Sequence, residues 1–183
     1  ACSKSSQFDD EIAGVEMKNA AGISGQAHKS GPVHIVMPNG IDDTEALEDA
    51  FNLAVTQPGS VVQLVEATYH LNFIEIREFT GTFSGAGKGK TVITTVSDLS
   101  VDDMISRKLN TVLIRFVGGD VCMSNMTLMT PPGPLSTGTE NYIDGLAGFS
   151  ARTYEYTSKN DYIKAVIDHI DFSGERRLFS QRV

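Results

Sequence analysis

Residues 40–94 constrain the fold of this chain more than any other segment: one amphipathic helix is followed by strand after strand, without a second helix. Asp42 and Glu45 have the spacing of a capping box at the start of that helix. Gln57-Pro58-Gly59 predicts its end, and from Val61 onward short β-branched segments alternate as strands do. The helix has one apolar stripe, formed by Ala46, Leu47, Ala50, Phe51 and Ala54.

A weak repeat runs through the strand-rich part. One apolar pattern, at offsets 0, +2, +5 and +7, begins at Ile74, Val121 and Ala165, which are 47 and 44 residues apart. The residues at offset +4 are Glu78, Asn125 and His169. We place a corner between two short strands there, where left-handed backbone is expected and Asn and His tolerate it better than most residues.

Stacked units of this kind would align similar residues and build a continuous core. The pattern therefore predicts an all-β fold, a right-handed parallel β-helix (solenoid) with an amino-terminal capping α-helix. We expect residues 1–31 to be a flexible tether or lead-in, because they are polar and lack periodicity, and residues 32–183 to be the β-helix domain.

The segments Asp43–Ala50, Pro58-Gly59, Val61–Tyr69 and Gly85–Val92 (GAGKGKTV) resemble the amino-terminal part of pectate-lyase-like parallel β-helix proteins. The resemblance covers roughly residues 35–130. It implies a helix that caps the open end of the solenoid. It implies no single activity, because that superfamily includes lyases, hydrolases, epimerases and non-catalytic surface proteins.

Charge and hydropathy exclude several classes of function. The chain has 183 residues, with 15 Lys and Arg against 23 Asp and Glu, and a net charge of −8. A nucleic-acid partner is not expected, because the basic surface that such proteins carry is missing from the sequence. No run of 18 apolar residues is present, so a membrane span is not predicted either.

The two cysteines lead to different expectations. Ala1-Cys2-Ser3-Lys4-Ser5-Ser6 resembles the mature start of a bacterial lipoprotein, in which Cys2 carries the lipid after signal-peptide removal. An incidental Cys2 is the alternative. Cys122 lies in an apolar alternation and is expected to be a buried small hydrophobe. We do not expect a Cys2–Cys122 disulfide, since a flexible tail would have to reach a core position.

The segment AVIDHIDFS, residues 165–173, carries the candidate chemistry. It is similar to an Ile-Asp-His segment of pectate lyases, and Asp168, His169 and Asp171 could supply Ca²⁺ ligands or transfer a proton to a sugar. Arg176 is a further candidate, as a basic group. Strand alternation favours a structural reading instead, with Asp168-His169 forming a corner and Asp171 pointing outward. The sequence thus offers catalytic candidates Asp168, His169 and Arg176, and metal candidates Asp168 and Asp171.

Gly85–Thr91 (GAGKGKT) is predicted to be a glycine-rich turn, because Ser84 stands where a P-loop needs its first glycine and a strand follows instead of a helix. Residues 131–160 form a long stretch rich in Gly, Thr and Tyr, and such stretches are usually functional or mobile. The chain shows no closing cap near Val183. We therefore expect self-association through an open solenoid end, or a longer protein of which this is the front part.

Two hypotheses of function remain from the sequence. One is a lipid-anchored polysaccharide lyase or glycoside hydrolase of the bacterial cell envelope, placed at the outer membrane, in the periplasm or outside the cell. The other is a non-catalytic, adhesin-like binding or structural module of the same fold.

Overall fold

The computed structural model describes residues 31–96, 112–129, 145–152, 156–160, 162–173 and 179–181. They form one helix, α1 (Thr44–Val55), and eleven strands: β1 (Val33–Val36), β2 (Ser60–Leu64), β3 (Ala67–Leu71), β4 (Ile74–Arg77), β5 (Gly81–Ser84), β6 (Thr91–Thr95), β7 (Val112–Val117), β8 (Gly119–Met129), β9 (Gly145–Ser150), β10 (Ile163–Ser173) and β11 (Phe179–Gln181). No helix in these residues is long and apolar enough to cross a membrane.

The strands make two parallel sheets. The larger sheet has seven strands in the order β1-β2-β5-β8-β6-β3, and β10 pairs with β8 as well. The smaller sheet has the order β11-β9-β7-β4. The long strand β8 pairs through Val121–Ser124 with β5 and through Thr127 and Leu128 with β6, so it joins two rows of strands into one sheet.

The predicted right-handed parallel β-helix with a capping helix is wrong for this chain. The described residues are mostly strand, with one helix and parallel sheets, but they form no solenoid. The paired strands lack a common repeat length: Ser60 pairs with Gly81, Gly81 with Val121 and Val121 with Ala165, steps of 81 − 60 = 21, 121 − 81 = 40 and 165 − 121 = 44 residues. The apolar spacing from which the solenoid was inferred reports strand alternation, which strands of many different folds share.

The predicted repeat is correct for the 44-residue step and wrong for the 47-residue step. Val121 aligns with Ala165 and Met126 with Ile170, as the 44-residue step predicts. Ile74 aligns instead with Ile114, a step of 40 residues, so the predicted 47-residue step is wrong.

The predicted left-handed backbone is confirmed at all three positions, with φ of 57° at Glu78, 59° at Asn125 and 51° at His169. Asn125 and His169 lie opposite each other in the bend shared by β8 and β10. Glu78 lies at another corner, where its N–H donates to the Val117 carbonyl at 2.9 Å.

The predicted helix is confirmed as α1, but its N-cap is Asp43 rather than Asp42. The Asp42 carboxylate accepts the N–H of Thr44 at 3.0 Å. The buried carboxylate of Asp43 accepts the N–H groups of Asn39 at 2.6 Å and His70 at 2.8 Å. The start of the helix is therefore fixed to the end of β3 by tertiary hydrogen bonds rather than by a capping box.

Aromatic rings occupy the centre of the core. The ring of Phe51, from α1, lies 5.1 Å from both Phe79 and Phe83 and 5.7 Å from Phe116, in edge-to-face contacts. Phe116 stacks on Phe149 at 5.6 Å. The helix is thus anchored on both sheets, because Phe83 belongs to β5 and Phe116 to β7.

Candidate functional site

A group of charged and aromatic side chains gathers where β4 ends. Ile74 and Ile76 are buried in the core, so Glu75 and Arg77 lie on the outer face of the smaller sheet. The Arg77 guanidinium binds the Glu75 carboxylate through Nε at 2.8 Å and a terminal nitrogen at 2.7 Å. Arg115 is the register partner of Glu75 on β7 and is 9% exposed, which adds a second guanidinium to this face.

Glu78 follows β4 and connects this face to a distant segment. Its Oε1 accepts the hydroxyl of Tyr156 and the backbone N–H of Lys159, each at 2.7 Å. Ser158 adds a side-chain hydrogen bond. The close approach requires Gly118, whose φ is 72°, because a Cβ there would lie 2.6 Å from Ser158 Cβ and 3.1 Å from Glu78 Oε1.

Tyr156 completes the group by stacking. The guanidinium carbon of Arg77 lies 4.8 Å from the centroid of the Tyr156 ring, within range of a cation–π contact. Arg77 therefore binds a carboxylate and an aromatic ring at once, while its side chain stays 48% exposed. We refer to Glu75, Arg77, Glu78, Arg115 and Tyr156 as the Glu78 cluster.

The hydrogen bonds of Glu78 shift two pKa values. Burial raises the pKa of the Glu78 carboxyl, but hydrogen bonds from Tyr156, the Lys159 N–H and Ser158 together outweigh burial, so its pKa is lowered. The hydrogen bond to Glu78, with burial as a smaller cause, raises the pKa of Tyr156. At neutral pH the pair therefore consists of a carboxylate and a neutral phenol.

The residues predicted from AVIDHIDFS lie elsewhere, on β10. His169 Nδ1 is 2.7 Å from Asp168 Oδ1, and both side chains are more than half exposed. Asp171 pairs with Lys88 of the Gly85–Lys90 turn at 2.9 Å. The corner at His169 separates the two aspartates, and each has a different partner.

No three His, Cys, Asp or Glu side chains come together as a metal site within the described ranges. Arg176 lies outside the described residues. The catalytic roles of Asp168, His169 and Arg176 and the binding of Ca²⁺ by Asp168 and Asp171 therefore stay predictions.

Cys122 differs from its prediction. It is half-buried rather than buried, because it lies between the inward-facing Val121 and Met123 on the outer face of β8. It is disulfide-bonded. The chain has two cysteines, and Cys2 lies outside the described residues. Lipidation of Cys2 therefore stays a prediction, and within one chain it competes with a disulfide for the same sulfur.

The sequence did not identify the Glu78 cluster, although two signals pointed toward it. Glu78 was placed at a left-handed corner, an uncommon conformation for a non-glycine residue that is worth examining as functional. Tyr156 belongs to the long stretch 131–160, which was expected to be functional or mobile. The contact between them, across 78 residues of sequence, needed the structure.

Comparison with protein-family models, curated proteins and solved structures gives no match. The resemblance to pectate-lyase-like proteins rests on the sequence segments alone and stays a hypothesis. Function must therefore be argued from the geometry of the described residues.

Proposed function

We propose that this protein binds polysaccharide at the bacterial cell envelope through the Glu78 cluster. The observation that carries the proposal is the exposed Arg77 guanidinium, held over the Tyr156 ring at 4.8 Å by the Glu75 carboxylate. A guanidinium fixed in this way loses little conformational freedom when a ligand binds, which favours affinity.

The chemistry of the cluster fits acidic sugars best. Arginine presents five N–H donors in a planar fork that matches a carboxylate. Glu75 uses only part of that fork, so the Arg77 donors that face solvent suit a uronate group. Tyr156 supplies an amphipathic ring beside it, which suits the C–H face and the hydroxyls of a sugar. Arg115 and Lys159 add positive charge locally, against the net charge of −8.

Binding is favoured over catalysis at this cluster. A general acid needs a pKa near the working pH, whereas the pKa of Glu78 is lowered and its carboxylate already accepts several hydrogen bonds. The raised pKa of Tyr156 keeps its phenol protonated at neutral pH, so it does not supply a general base. These groups are arranged to hold Arg77 in place rather than to exchange protons with a substrate.

The disulfide at Cys122 supports the proposed location. Disulfides persist in the periplasm and outside the cell, and they are rare in the cytosol of mesophilic cells. A cell-envelope protein would meet polysaccharide there.

Isothermal titration with polygalacturonate, alginate and a neutral glycan, each with and without Ca²⁺, tests the proposal. We expect the acidic polymers to bind and Arg77→Ala to weaken that binding about tenfold or more, the usual scale for a lost charge-assisted contact. Lys88→Ala is the matched control, because it removes an exposed cation that pairs with Asp171 away from the cluster.

Three outcomes would contradict the proposal: no binding of any glycan, equal losses in Arg77→Ala and Lys88→Ala, or release of unsaturated or reducing ends, which would indicate an enzyme. Binding that needs Ca²⁺ and disappears in Asp168→Ala would instead place the site on β10.

A further inference from the structure

Strand β10 is a long and apolar sheet edge. Along one side it pairs with β8, from Ile163 opposite Gly119 to Ser173 opposite Met129. On its other side no strand of the described residues pairs with it. Val166 and Ile167 are each 37% exposed. Such an edge presents unpaired N–H and C=O groups beside apolar side chains, a combination that favours pairing with another chain.

The core is uncovered at the same edge. Val121 and Met123 of β8 are 2% and 0% exposed. Their register partners on β10, Ala165 and Ile167, continue the same inner rows but are exposed. The inner face of the sheet therefore reaches its edge without a covering layer in the described part of the chain, and apolar area there would be buried by a further strand.

We propose that this edge of β10 pairs with the same edge of a second copy of the chain, antiparallel and centred on Val166. A two-fold axis perpendicular to the sheet is the arrangement that joins identical edges and keeps both inner faces on one side. Ala165 then lies opposite the second copy's Ile167, and the inner apolar rows continue from one copy into the other. His169 limits the straight segment to residues 163–168, because its left-handed corner bends the strand.

The charges on the outer face select this register. Lys164, Val166 and Asp168 align with Asp120, Cys122 and Ser124 and so share one face. With Val166 at the centre, Lys164 lies opposite the second copy's Asp168, twice in each dimer, and Val166 lies opposite itself. Moving the centre to Ala165 or Ile167 would set Val166 opposite Lys164 or Asp168, which places a charge against an apolar side chain.

Sedimentation equilibrium of the full chain over a range of concentrations, with charge-reversal variants, tests the proposal. Lys164→Asp and Asp168→Lys each place like charges opposite one another twice, so we expect each to raise the dimer Kd roughly tenfold or more. The double variant exchanges the charges and should restore the wild-type Kd to within about threefold. Lys90→Asp, which reverses an exposed charge that pairs with Glu66 and not with residues 163–168, should leave the Kd unchanged.

Cross-linking provides a second test of the register. Cys122 is the register neighbour of Val166 on β8, so the cysteine variants are made in a background that carries Cys2→Ser and Cys122→Ser. Because Val166 lies on the two-fold axis, a Val166→Cys variant in that background should form a disulfide between the two copies under mild oxidation, identified by mass spectrometry of the joined peptides. A Lys164→Cys variant is the matched control, because its residue 164 lies opposite residue 168 of the second copy and should not cross-link to itself.

A monomer at all concentrations would overturn the proposal. So would a dimer that ignores the single charge reversals, or a double variant no tighter than the single ones. A Val166→Cys thiol that reacts with neither the second copy nor a maleimide would show that another segment covers the edge, which also overturns it. None of these readouts depends on glycan binding, so the proposed function and the dimer can fail separately.

Discussion

At the scale of single residues, the carboxylate of Asp43 joins three parts of the chain. It belongs to the start of α1, and it accepts N–H groups from Asn39, which precedes the helix, and from His70 of β3. Its own N–H donates to the His70 carbonyl at 2.7 Å. Asp43 is fully buried, so these donors have no water to replace the carboxylate.

We therefore expect Asp43→Ala to lower the free energy of unfolding by about 1–3 kcal/mol, the usual cost of leaving a buried donor unpaired. Asp42→Ala is the neighbouring control, because Asp42 is itself exposed, its carboxylate accepts one N–H, and its loss should cost no more than about 1 kcal/mol. Urea denaturation of both variants measures the difference. Equal losses would mean that the tertiary contacts of Asp43 contribute nothing beyond a local cap.

Glu78 gives a pH dependence with a defined sign. Its pKa in the folded protein is lowered, chiefly because hydrogen bonds favour the carboxylate more than burial opposes it. A lowered pKa stabilises the fold at pH values above the ordinary pKa of a glutamate, and that stabilisation is lost as the pH falls through the folded value.

The melting temperature of the wild-type protein should therefore exceed that of Glu78→Gln most at neutral pH. The difference should shrink toward zero on acidification below the ordinary glutamate range, because the wild-type carboxyl then becomes neutral too. Tyr156→Phe, which removes one of the hydrogen bonds, should show a smaller difference of the same sign. A gap between wild type and Glu78→Gln that stays constant with pH would contradict this account.

At the scale of elements, the packing of one aromatic ring stabilises α1 more than the intrinsic stability of the helix does. A helix of 12 residues is marginal by itself in water. Phe51 carries the packing, because its ring is in contact range of Phe79, Phe83 and Phe116. Phe51→Ala should cost about 3–5 kcal/mol, as large-to-small core substitutions of Phe do.

Leu53 provides the control on the same helix. It is 57% exposed, so Leu53→Ala should change the free energy of unfolding by no more than about 0.5 kcal/mol. Thermal or urea unfolding of the two variants, followed by circular dichroism, makes the comparison. Similar losses would show that the helix is stabilised by its own propensity rather than by packing.

The elements also show how much of the fold could be predicted from the sequence. The extent of α1 followed from its apolar stripe and its Pro-Gly stop, both of which are local signals. The predicted N-cap of α1 was wrong by one residue. The carboxylate of Asp43 accepts the N–H of His70, and no local sequence pattern predicts that contact. The β8–β10 register followed from apolar spacing together with the corners at Asn125 and His169.

Apolar spacing alone was insufficient elsewhere. Any strand with alternating apolar residues can be aligned with another at several offsets, so the pattern accepted a step of 47 residues where the pairing of Ile74 with Ile114 requires 40. The predicted solenoid is wrong as well, because the described residues are mostly strands of two parallel sheets with one helix and form no solenoid. The Glu78 cluster could not be predicted from the sequence for a different reason. It depends on the contact in space between Glu78 and Tyr156, which are far apart in the sequence.

At the scale of the whole molecule, the disulfide of Cys122 bears on the proposed location at the cell envelope. Strand alternation alone predicts the orientation of the Cys122 side chain. Because Val121 and Met123 face inward, Cys122 faces outward. The expectation of a buried, unpaired Cys122 treated the residue by its type and not by its position.

The two cysteines allow a decisive experiment on intact protein. The chain has no cysteine besides Cys2 and Cys122, so a disulfide within one chain and a thioether lipid on Cys2 exclude each other. Because Cys122 is bonded, we expect the native protein isolated without reductant to resist thiol alkylation and to accept two alkyl groups per chain after reduction. Intact-mass spectrometry measures both states, and Cys122→Ser is the control that frees one thiol.

A diacylglycerol mass on the amino-terminal peptide, together with a Cys122 thiol that alkylates without reductant, would contradict the disulfide and support the lipoprotein hypothesis. The oxidised form also predicts a stability difference. A disulfide restricts the unfolded chain, so reduction should lower the free energy of unfolding by about 2–5 kcal/mol in the wild-type protein and leave Cys122→Ser unaffected. If reduction changes neither protein, Cys122 contributes to the fold only as a half-buried side chain on the outer face of β8.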